Sequence, residues 1–248
     1  MTDFRILRAF NDEHLRPFAG AKTRIGPRFA EHFAGDTLVE RLVRALADER
    51  ALPQKEVVEA FEFFGVVRKY LRRAPNVVDL CSGHGLAGLL FAVFERRTER
   101  VLLCDKRRPN CFDQVLRACM QVAPWIESKV TYLEGALART RPDLPRESAV
   151  LGVHACGTLT DTCLAIALEL GGPVAVLPCC RAKARSTAPE GLRQALGEDV
   201  AYDVDRTYHM ERNGYRVRWR EIPAAVTPMN RVLIALPVKT PVSAVPVR

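Results

Sequence analysis

The 248-residue sequence lacks several features that mark particular protein classes. It has no run of about 18 apolar residues, so no membrane-spanning helix is predicted. Residues 1–5 contain no apolar core of the kind that begins a secretion signal. No two cysteines have the C-x-x-C spacing, which argues against a structural zinc site. We therefore expect a cytoplasmic protein with no resident metal and no membrane partner.

The cysteines indicate the redox compartment, and the net charge indicates the kind of partner. Several of the eight cysteines lie inside apolar runs such as residues 101–104, which is typical of a reducing compartment. The formal net charge is +8. A basic surplus favours a polyanionic partner such as RNA, although arginine is abundant along the whole chain and composition bias is the alternative. The oligomeric state is left open.

The apolar pattern changes near residue 76. Short apolar runs then alternate with helical patterns; the runs are residues 77–80, 100–104, 130–133, 149–153 and 174–177. Two further runs, 215–222 and 231–236, follow without a helix between them. Continuously apolar strands that alternate with helices predict a mostly parallel sheet covered on both faces. We predict an α/β, Rossmann-like fold with seven strands and an antiparallel closing strand.

The first part of the chain has a different pattern. Residues 1–36 show little periodicity and predict a loop-rich segment. Thr37 and Glu40 have the spacing of a capping box, which predicts the start of an amphipathic helix. A second helix is predicted after Pro53. We interpret residues 1–53 as a loop-rich and helical extension, residues 54–248 as the main domain, and the two helices as a cap on it.

The most informative segment is the run Asp79-Leu80-Cys81-Ser82-Gly83-His84-Gly85-Leu86-Ala87-Gly88. It places G-x-G-x-x-G directly after a predicted strand and before a helix, the context of a nucleotide-cofactor loop. Asp105 follows at the end of the next strand, at the spacing of a carboxylate that accepts hydrogen bonds from ribose hydroxyls.

Two cofactors could use such a loop. A nicotinamide dinucleotide needs the helix N-terminus for its pyrophosphate. S-adenosylmethionine carries no phosphate but has an ammonium group, which a carboxylate at Asp79 would favour, so we predict S-adenosylmethionine. The third-strand exit would flank the adenine. The predicted cofactor residues are Asp79, Ser82, Gly83, Gly85, Asp105, Lys106, Glu134, Gly135 and His154.

Two later motifs carry a family resemblance. His154 to Asp161 reads H-x-C-G-x-x-T-D, and Pro178 to Cys180 reads P-C-C. Together they resemble a methyltransferase domain family. Its members include the acceptor-stem tRNA 2′-O-methyltransferases and methyltransferase-like proteins related to the glutathione S-transferase C-terminal-domain-containing protein. Lys55-Glu56 and residues 227–231 also resemble the family's lead-in and closing segments.

The resemblance spans about residues 54–237 and has definite implications. It implies a class I methyltransferase that binds S-adenosylmethionine, with the motif residues gathered at the carboxyl ends of adjacent strands. The zinc-binding cysteine and histidine modules of the tRNA-modifying members are missing from this sequence. The predicted acceptor-side residues are His154, Asp161, Cys179, Cys180 and Arg231.

The chemistry leaves alternatives for these residues. His154 is a candidate general base or substrate orienter, because a histidine titrates near neutral pH; its alternative is a hydrogen bond to backbone at a strand end. Cys156, Cys179 and Cys180 could supply a thiolate or a metal ligand, but a packed pocket floor of small residues explains them as well.

The predicted function follows from the cofactor and the charge. We predict a methyltransferase that acts on RNA, for example tRNA or rRNA. The arginine-rich segment 181–220 could hold phosphates, or it could be a salt-bridged surface. The alternatives are a small-molecule or protein acceptor, a non-catalytic adaptor that binds S-adenosylmethionine, and a nicotinamide-dependent oxidoreductase.

Overall fold

The computed structural model describes residues 2–155, 157–178 and 188–238. Within these ranges one sheet has the strand order β3-β2-β1-β4-β5-β7-β6. The strands are β1 (Asn76–Leu80), β2 (Arg100–Asp105), β3 (Val130–Glu134), β4 (Ala149–Val153), β5 (Val174–Leu177), β6 (Tyr215–Glu221) and β7 (Arg231–Pro237). Only β7 among them runs antiparallel to its neighbours, β5 and β6. The predicted seven-stranded sheet and its antiparallel closing strand are confirmed.

Helices cover both faces of the sheet. They are α1 (Pro27–Ala30), α2 (Leu38–Asp48), α3 (Gln54–Leu71), α4 (Leu86–Phe94), α5 (Cys111–Val122), α6 (Leu137–Thr140), α7 (Leu159–Leu170), α8 (Glu190–Leu196) and α9 (Glu198–Arg212). Successive strand side chains point to opposite faces, so Val77 packs into one hydrophobic cluster and Val78 into the other. No helix in the described ranges is both long and apolar enough to cross a membrane.

The two helices predicted before the sheet are present. Thr37 Oγ accepts the Glu40 N–H at 3.3 Å, and a Glu40 carboxylate oxygen accepts the Thr37 N–H at 3.2 Å, which confirms the capping box. Helix α2 packs against α5, and α3 packs against α4. Their buried side chains belong to the same cluster as those of the strands. The domain boundary at residue 53 stays a prediction.

The segment predicted to be loop-rich is built of short helical turns around four buried phenylalanines. The ring centroids of Phe4 and Phe10 lie 5.4 Å apart, those of Phe10 and Phe29 5.8 Å, and those of Phe29 and Phe33 5.4 Å. Such aromatic pairs stabilise a core beyond the area that they bury. Their irregular spacing has neither a helical nor a strand period, so the sequence pattern did not reveal this small core.

A buried carboxylate attaches this segment to α3. Glu62 accepts hydrogen bonds from the backbone N–H groups of Arg5 at 2.7 Å, Ile6 at 3.0 Å and Leu7 at 2.9 Å. Burial raises the pKa of Glu62, and the three N–H donors act against that rise. The side chain thus satisfies three backbone donors that no helix or strand ladder pairs.

Candidate active site

The loop between β1 and α4 has an unusual backbone. Three of its residues have positive φ: Cys81 at +57°, Gly83 at +50° and Gly85 at +71°. A Cβ on Gly85 would lie only 2.7 Å from a methyl group of Leu103, so both the backbone and the available space require glycine there. A Cβ on Gly83 would meet no atom within 4 Å, because this part of the loop faces open space.

Side chains from the two neighbouring strands hold this loop in place. The Gly83 N–H donates to Asp105 Oδ2 at 2.9 Å, and the Tyr132 hydroxyl lies 3.1 Å from the Gly83 carbonyl oxygen. Burial raises the pKa of Tyr132 to about 12, so its hydroxyl keeps the proton that it donates. The spacing after Gly83 predicted a role for Asp105, whereas no motif distinguishes Tyr132 from an ordinary strand residue.

A cavity of about 530 Å³ opens beside the loop, within the size range of small-molecule and cofactor sites. Its wall contains Lys22, Pro53, Lys55, Glu56, Glu59, Ala60, Asp79, Cys81, Ser82, Gly83, His84, Ala87, Val153 and His154. Four predicted cofactor residues, Asp79, Ser82, Gly83 and His154, are therefore brought together. The other five, Gly85, Asp105, Lys106, Glu134 and Gly135, do not line the cavity.

Those five residues lie beside or behind the cavity wall. Gly85 and Asp105 shape the glycine loop, as described above. Glu134 is paired with Asp105 in the sheet, and the Gly135 N–H donates to the Asp105 carbonyl oxygen at 2.8 Å. The side chains of Lys106 and Glu134 are exposed. Their predicted contacts with a cofactor stay predictions.

Asp79 is a buried acid at the carboxyl end of β1. Its Oδ2 accepts the Gly88 N–H at 2.9 Å, while Oδ1 has no hydrogen-bond partner in the described part of the chain. Burial raises the pKa of Asp79 to about 7, and the negative charge of Asp105 adds to the rise. A buried carboxylate oxygen without a donor is costly, and a cationic ligand group would remove that cost.

The start of α4 is poorly suited to a pyrophosphate. A dinucleotide site uses the free N–H groups of a helix N-terminus. Here the Leu86 N–H donates to His84 Nδ1 at 3.2 Å, and the Gly88 N–H donates to Asp79. These two N–H groups already have acceptors, and an acid lies where phosphate charge would fall. This geometry disfavours the nicotinamide alternative.

His154 faces an acid of α3 across the cavity. Its Nε2 lies 2.9 Å from Glu59 Oε2, and Glu59 is fully buried. Burial lowers the pKa of His154, but the acids Glu59 and Glu56 together raise it by more, so the net shift is upward. His154 also has a positive φ of +60°, a strained conformation that is enriched at functional sites. The contact of its ring is with a carboxylate rather than with backbone.

A second histidine faces a second acid on the same wall. His84 Nε2 lies 3.5 Å from Glu56 Oε2. Burial and, to a smaller extent, the nearby His154 lower the pKa of His84 to about 4. His84 is therefore neutral at neutral pH. Because its Nδ1 accepts the Leu86 N–H, its proton is on Nε2, the nitrogen that lies 3.5 Å from Glu56.

The predicted acceptor-side residues Asp161 and Arg231 lie in a separate charge network. Arg206 Nε donates to Asp161 Oδ1 at 2.7 Å, and Arg231 Nε donates to Asp203 Oδ2 at 2.8 Å. Arg206 also contacts Asp203, at 3.4 Å, and so connects the two pairs. The cavity wall includes neither Asp161 nor Arg231 among the residues described. Their predicted contact with a methyl acceptor stays a prediction.

The cysteine motif lies outside the described residues. This applies to Cys156, Cys179 and Cys180, so their predicted roles stay open. Of the cysteines described, Cys81 lines the cavity and Cys104, Cys119 and Cys163 are buried. Burial raises the pKa of Cys104 and of Cys119 to about 12, which keeps both as unreactive thiols.

Comparison with known proteins identifies the family. A family model described as a methyltransferase domain matches residues 54–187, more than half of the chain. The chain belongs to this methyltransferase family. The methyltransferase part of the predicted resemblance is confirmed, and its link to acceptor-stem tRNA enzymes stays a prediction.

This methyltransferase is also similar to single known proteins. It is 20% identical over 235 residues to the glutathione S-transferase C-terminal domain-containing protein of Xenopus laevis; the match covers 78% of this chain and 36% of that protein. The chain thus spans about a third of the length of this curated relative.

Solved structures of similar fold include cofactor-bound Rv0187 from MTB. Its TM-score is 0.52 at 18% identity, over 85% of this chain and 97% of that chain. A SAM dependent methyltransferase from Aquifex aeolicus has a TM-score of 0.45 at 16% identity, over 73% of this chain and 92% of that chain. The first likeness, together with the strand order, confirms the class I methyltransferase fold.

Helix α3 supplies the part of the site that sequence analysis missed. Three charged residues of its first turns line the cavity: Lys55, Glu56 and Glu59. Lys55-Glu56 was noted as part of the family resemblance but was given no role, and Glu59 was not singled out. The spacing of Glu56 and Glu59, three residues apart on one helix, is the signal that places both on one face.

Proposed function

We propose that this methyltransferase takes its methyl group from S-adenosylmethionine and transfers it to RNA. The observation that supports this methyl donor is the buried Asp79 carboxylate, whose Oδ1 has no hydrogen-bond partner among the described residues. An ammonium group offers that oxygen both a charge and N–H donors. Lys22 and Lys55 on the same wall offer cations for a ligand carboxylate. The residues present therefore fit the amino-acid end of this cofactor.

His154 and Glu59 fit the removal of a proton from the methyl acceptor. When bound, S-adenosylmethionine supplies an electrophilic methyl group on a sulfonium. Neutral His154 that carries its proton on Nε2, the nitrogen 2.9 Å from Glu59 Oε2, keeps the lone pair on Nδ1 and can take the acceptor's proton there. The Glu59 carboxylate then stabilises the imidazolium that forms. Glu59 acts in this scheme as a positioning residue.

RNA as the acceptor is supported by charge and by chemistry. The chain carries a formal charge of +8, which attracts a polyanion. A ribose hydroxyl is a weak nucleophile that needs the kind of base that His154 provides. The two properties together favour a nucleic acid over a neutral small molecule.

The test is a transfer assay with radiolabelled S-adenosylmethionine. Purified protein is incubated with extract from cells that lack its gene, and RNA, protein and small molecules are then separated. We expect nuclease-sensitive label that is lost with Asp79→Asn and His154→Ala. Asp143→Asn, which removes an exposed carboxylate, is the matched control and should keep the activity.

The other outcomes are distinct. Label in the protein or small-molecule fraction would retain the methyltransferase and refute RNA as its acceptor. Tight binding of S-adenosylmethionine without label in any fraction would favour the non-catalytic adaptor. Failure to bind S-adenosylmethionine would refute the proposed donor.

A further inference from the structure

A second concave surface lies at the β6 edge of the sheet. It is a cavity of about 290 Å³, lined by Thr2, Arg5, Trp219, Arg220, Glu221 and Arg231. Three guanidinium groups and one carboxylate give this lining a formal charge of about +2. We call Arg5, Arg220 and Arg231 the arginine corner. None of the three lines the cavity beside the glycine loop.

Within the described residues, protein contacts hold two of these arginines without using all of their donors. Arg220 donates from Nε to the Tyr70 hydroxyl at 3.0 Å and from Nη1 to the Trp219 carbonyl at 2.7 Å. Arg231 donates from Nε to Asp203 at 2.8 Å, but Asp203 is shared with Arg206. A guanidinium has five N–H donors, so each of the two retains N–H groups for a ligand.

The third arginine and the neighbouring strand extend the positive surface. The backbone of Arg5 is held by Glu62, while its side chain is exposed. Arg216 and Arg218 are exposed at alternate positions of β6 and therefore share the face of Arg220. Positioned guanidinium groups in a fork geometry recognise phosphate better than flexible ammonium groups do.

The sheet topology relates the arginine corner to the proposed active site. Strand β6 runs parallel to β4. Glu221 at the carboxyl end of β6 and His154 just after β4 therefore lie at the same end of the strands. Three strand spacings separate β4 from β6, roughly 14 Å at about 4.8 Å each. That is the length of roughly four stacked nucleotides at about 3.4 Å each.

We propose that the arginine corner binds a backbone phosphate of the RNA substrate a few nucleotides from the methylated position. The inference rests on the proposed RNA acceptor and adds where its backbone is held. Phosphate contacts position a nucleic acid without reading its sequence. The corner should therefore contribute to the affinity for RNA of any sequence and leave the binding of S-adenosylmethionine unchanged.

The experiment measures binding of a fluorescent, mixed-sequence, single-stranded RNA at several salt concentrations. We expect Arg5→Gln to weaken binding by about tenfold, and the double variant with Arg220→Gln to weaken it further. Each lost contact should reduce the slope of log K against log salt by about 0.7. Arg97→Gln is the matched control. It removes the same charge from an exposed residue just before β2, at the amino ends of the parallel strands.

The outcomes separate this inference from the function on which it rests. If the wild type methylates RNA but the corner variants bind RNA as Arg97→Gln does, the arginine corner is refuted and the function stands. If the wild type transfers no methyl group to RNA, both the proposed function and the arginine corner are refuted. Polyglutamate is the second probe and should bind weakly. If polyglutamate binds as tightly as RNA, and the Arg5 and Arg220 variants lose that binding, the corner binds an acidic protein partner and the proposal is overturned.

Discussion

Nε2 of His154 lies 2.9 Å from Oε2 of Glu59, so an acid on α3 faces a histidine that follows β4. The acid is buried, whereas about a third of the histidine side chain is exposed (34%). One end of the pair is thus insulated from water while the other faces the cavity. This is the arrangement of a base whose tautomer and charge are controlled by a neighbour.

The pair should control the pH dependence of methyl transfer. Glu59 raises the pKa of His154 against the opposing effect of burial. A base works in its deprotonated form, so kcat/KM should rise with pH through a pKa above the ordinary value of histidine. In Glu59→Gln this rise should move to lower pH, and kcat should fall about 100-fold. Glu56→Gln, which alters the acid facing His84, is the comparison; an identical pH profile in Glu59→Gln and wild type would refute the role.

Asp79 should make the binding of S-adenosylmethionine depend on pH. Its pKa of about 7 means that the carboxylate is protonated below pH 7 and ionised above it. An ammonium ligand needs the ionised form, so affinity should increase as the pH rises through 7 and then level off. Asp79→Asn should weaken binding by about tenfold or more and abolish this dependence. Calorimetric titration tests this, and a flat wild-type profile would contradict it.

Gly85 should tolerate a side chain less well than other glycines of positive φ. Gly85→Ala combines backbone strain with a contact of 2.7 Å to Leu103, so we expect a loss of about 2–4 kcal/mol of stability. Gly171, at the C-terminus of α7, has a φ of +75° and open space around its α-carbon. Gly171→Ala should therefore cost about 1 kcal/mol. Urea denaturation of both variants measures their free energies of unfolding. Equal losses of stability in the two variants would disprove the prediction.

Glu62 should anchor the amino-terminal segment. In Glu62→Gln an NH2 group replaces one acceptor oxygen and leaves a backbone N–H of residues 5–7 without a partner. We expect a loss of about 1–3 kcal/mol in the free energy of unfolding, and faster amide hydrogen exchange at residues 5–7. Glu127→Gln, at an exposed glutamate, is the control. Unchanged exchange at residues 5–7 would show that other contacts hold the segment.

Local sequence patterns determined the sheet, the glycine loop and the capping box. The continuous apolar runs of the strands follow from burial on both faces, and this property is visible over five or six residues. The loop from Cys81 to Gly85 has positive φ at Gly83 and Gly85, a backbone conformation that favours glycine. Thr37 and Glu40 lie in one helical turn. In each case a short stretch of the chain carries the signal, so its local pattern is enough to predict the element.

Only the tertiary structure decided which charged side chains meet. Glu59 and His154 are separated in the chain by strands β1 to β4, and Asp161 meets Arg206 on another helix. The phenylalanines of the amino-terminal segment pack together although their spacing has no period. Such contacts depend on the order of strands in the sheet and on how each helix lies across it. A sequence records the groups available for these pairs, but only the packing of distant elements selects the partners.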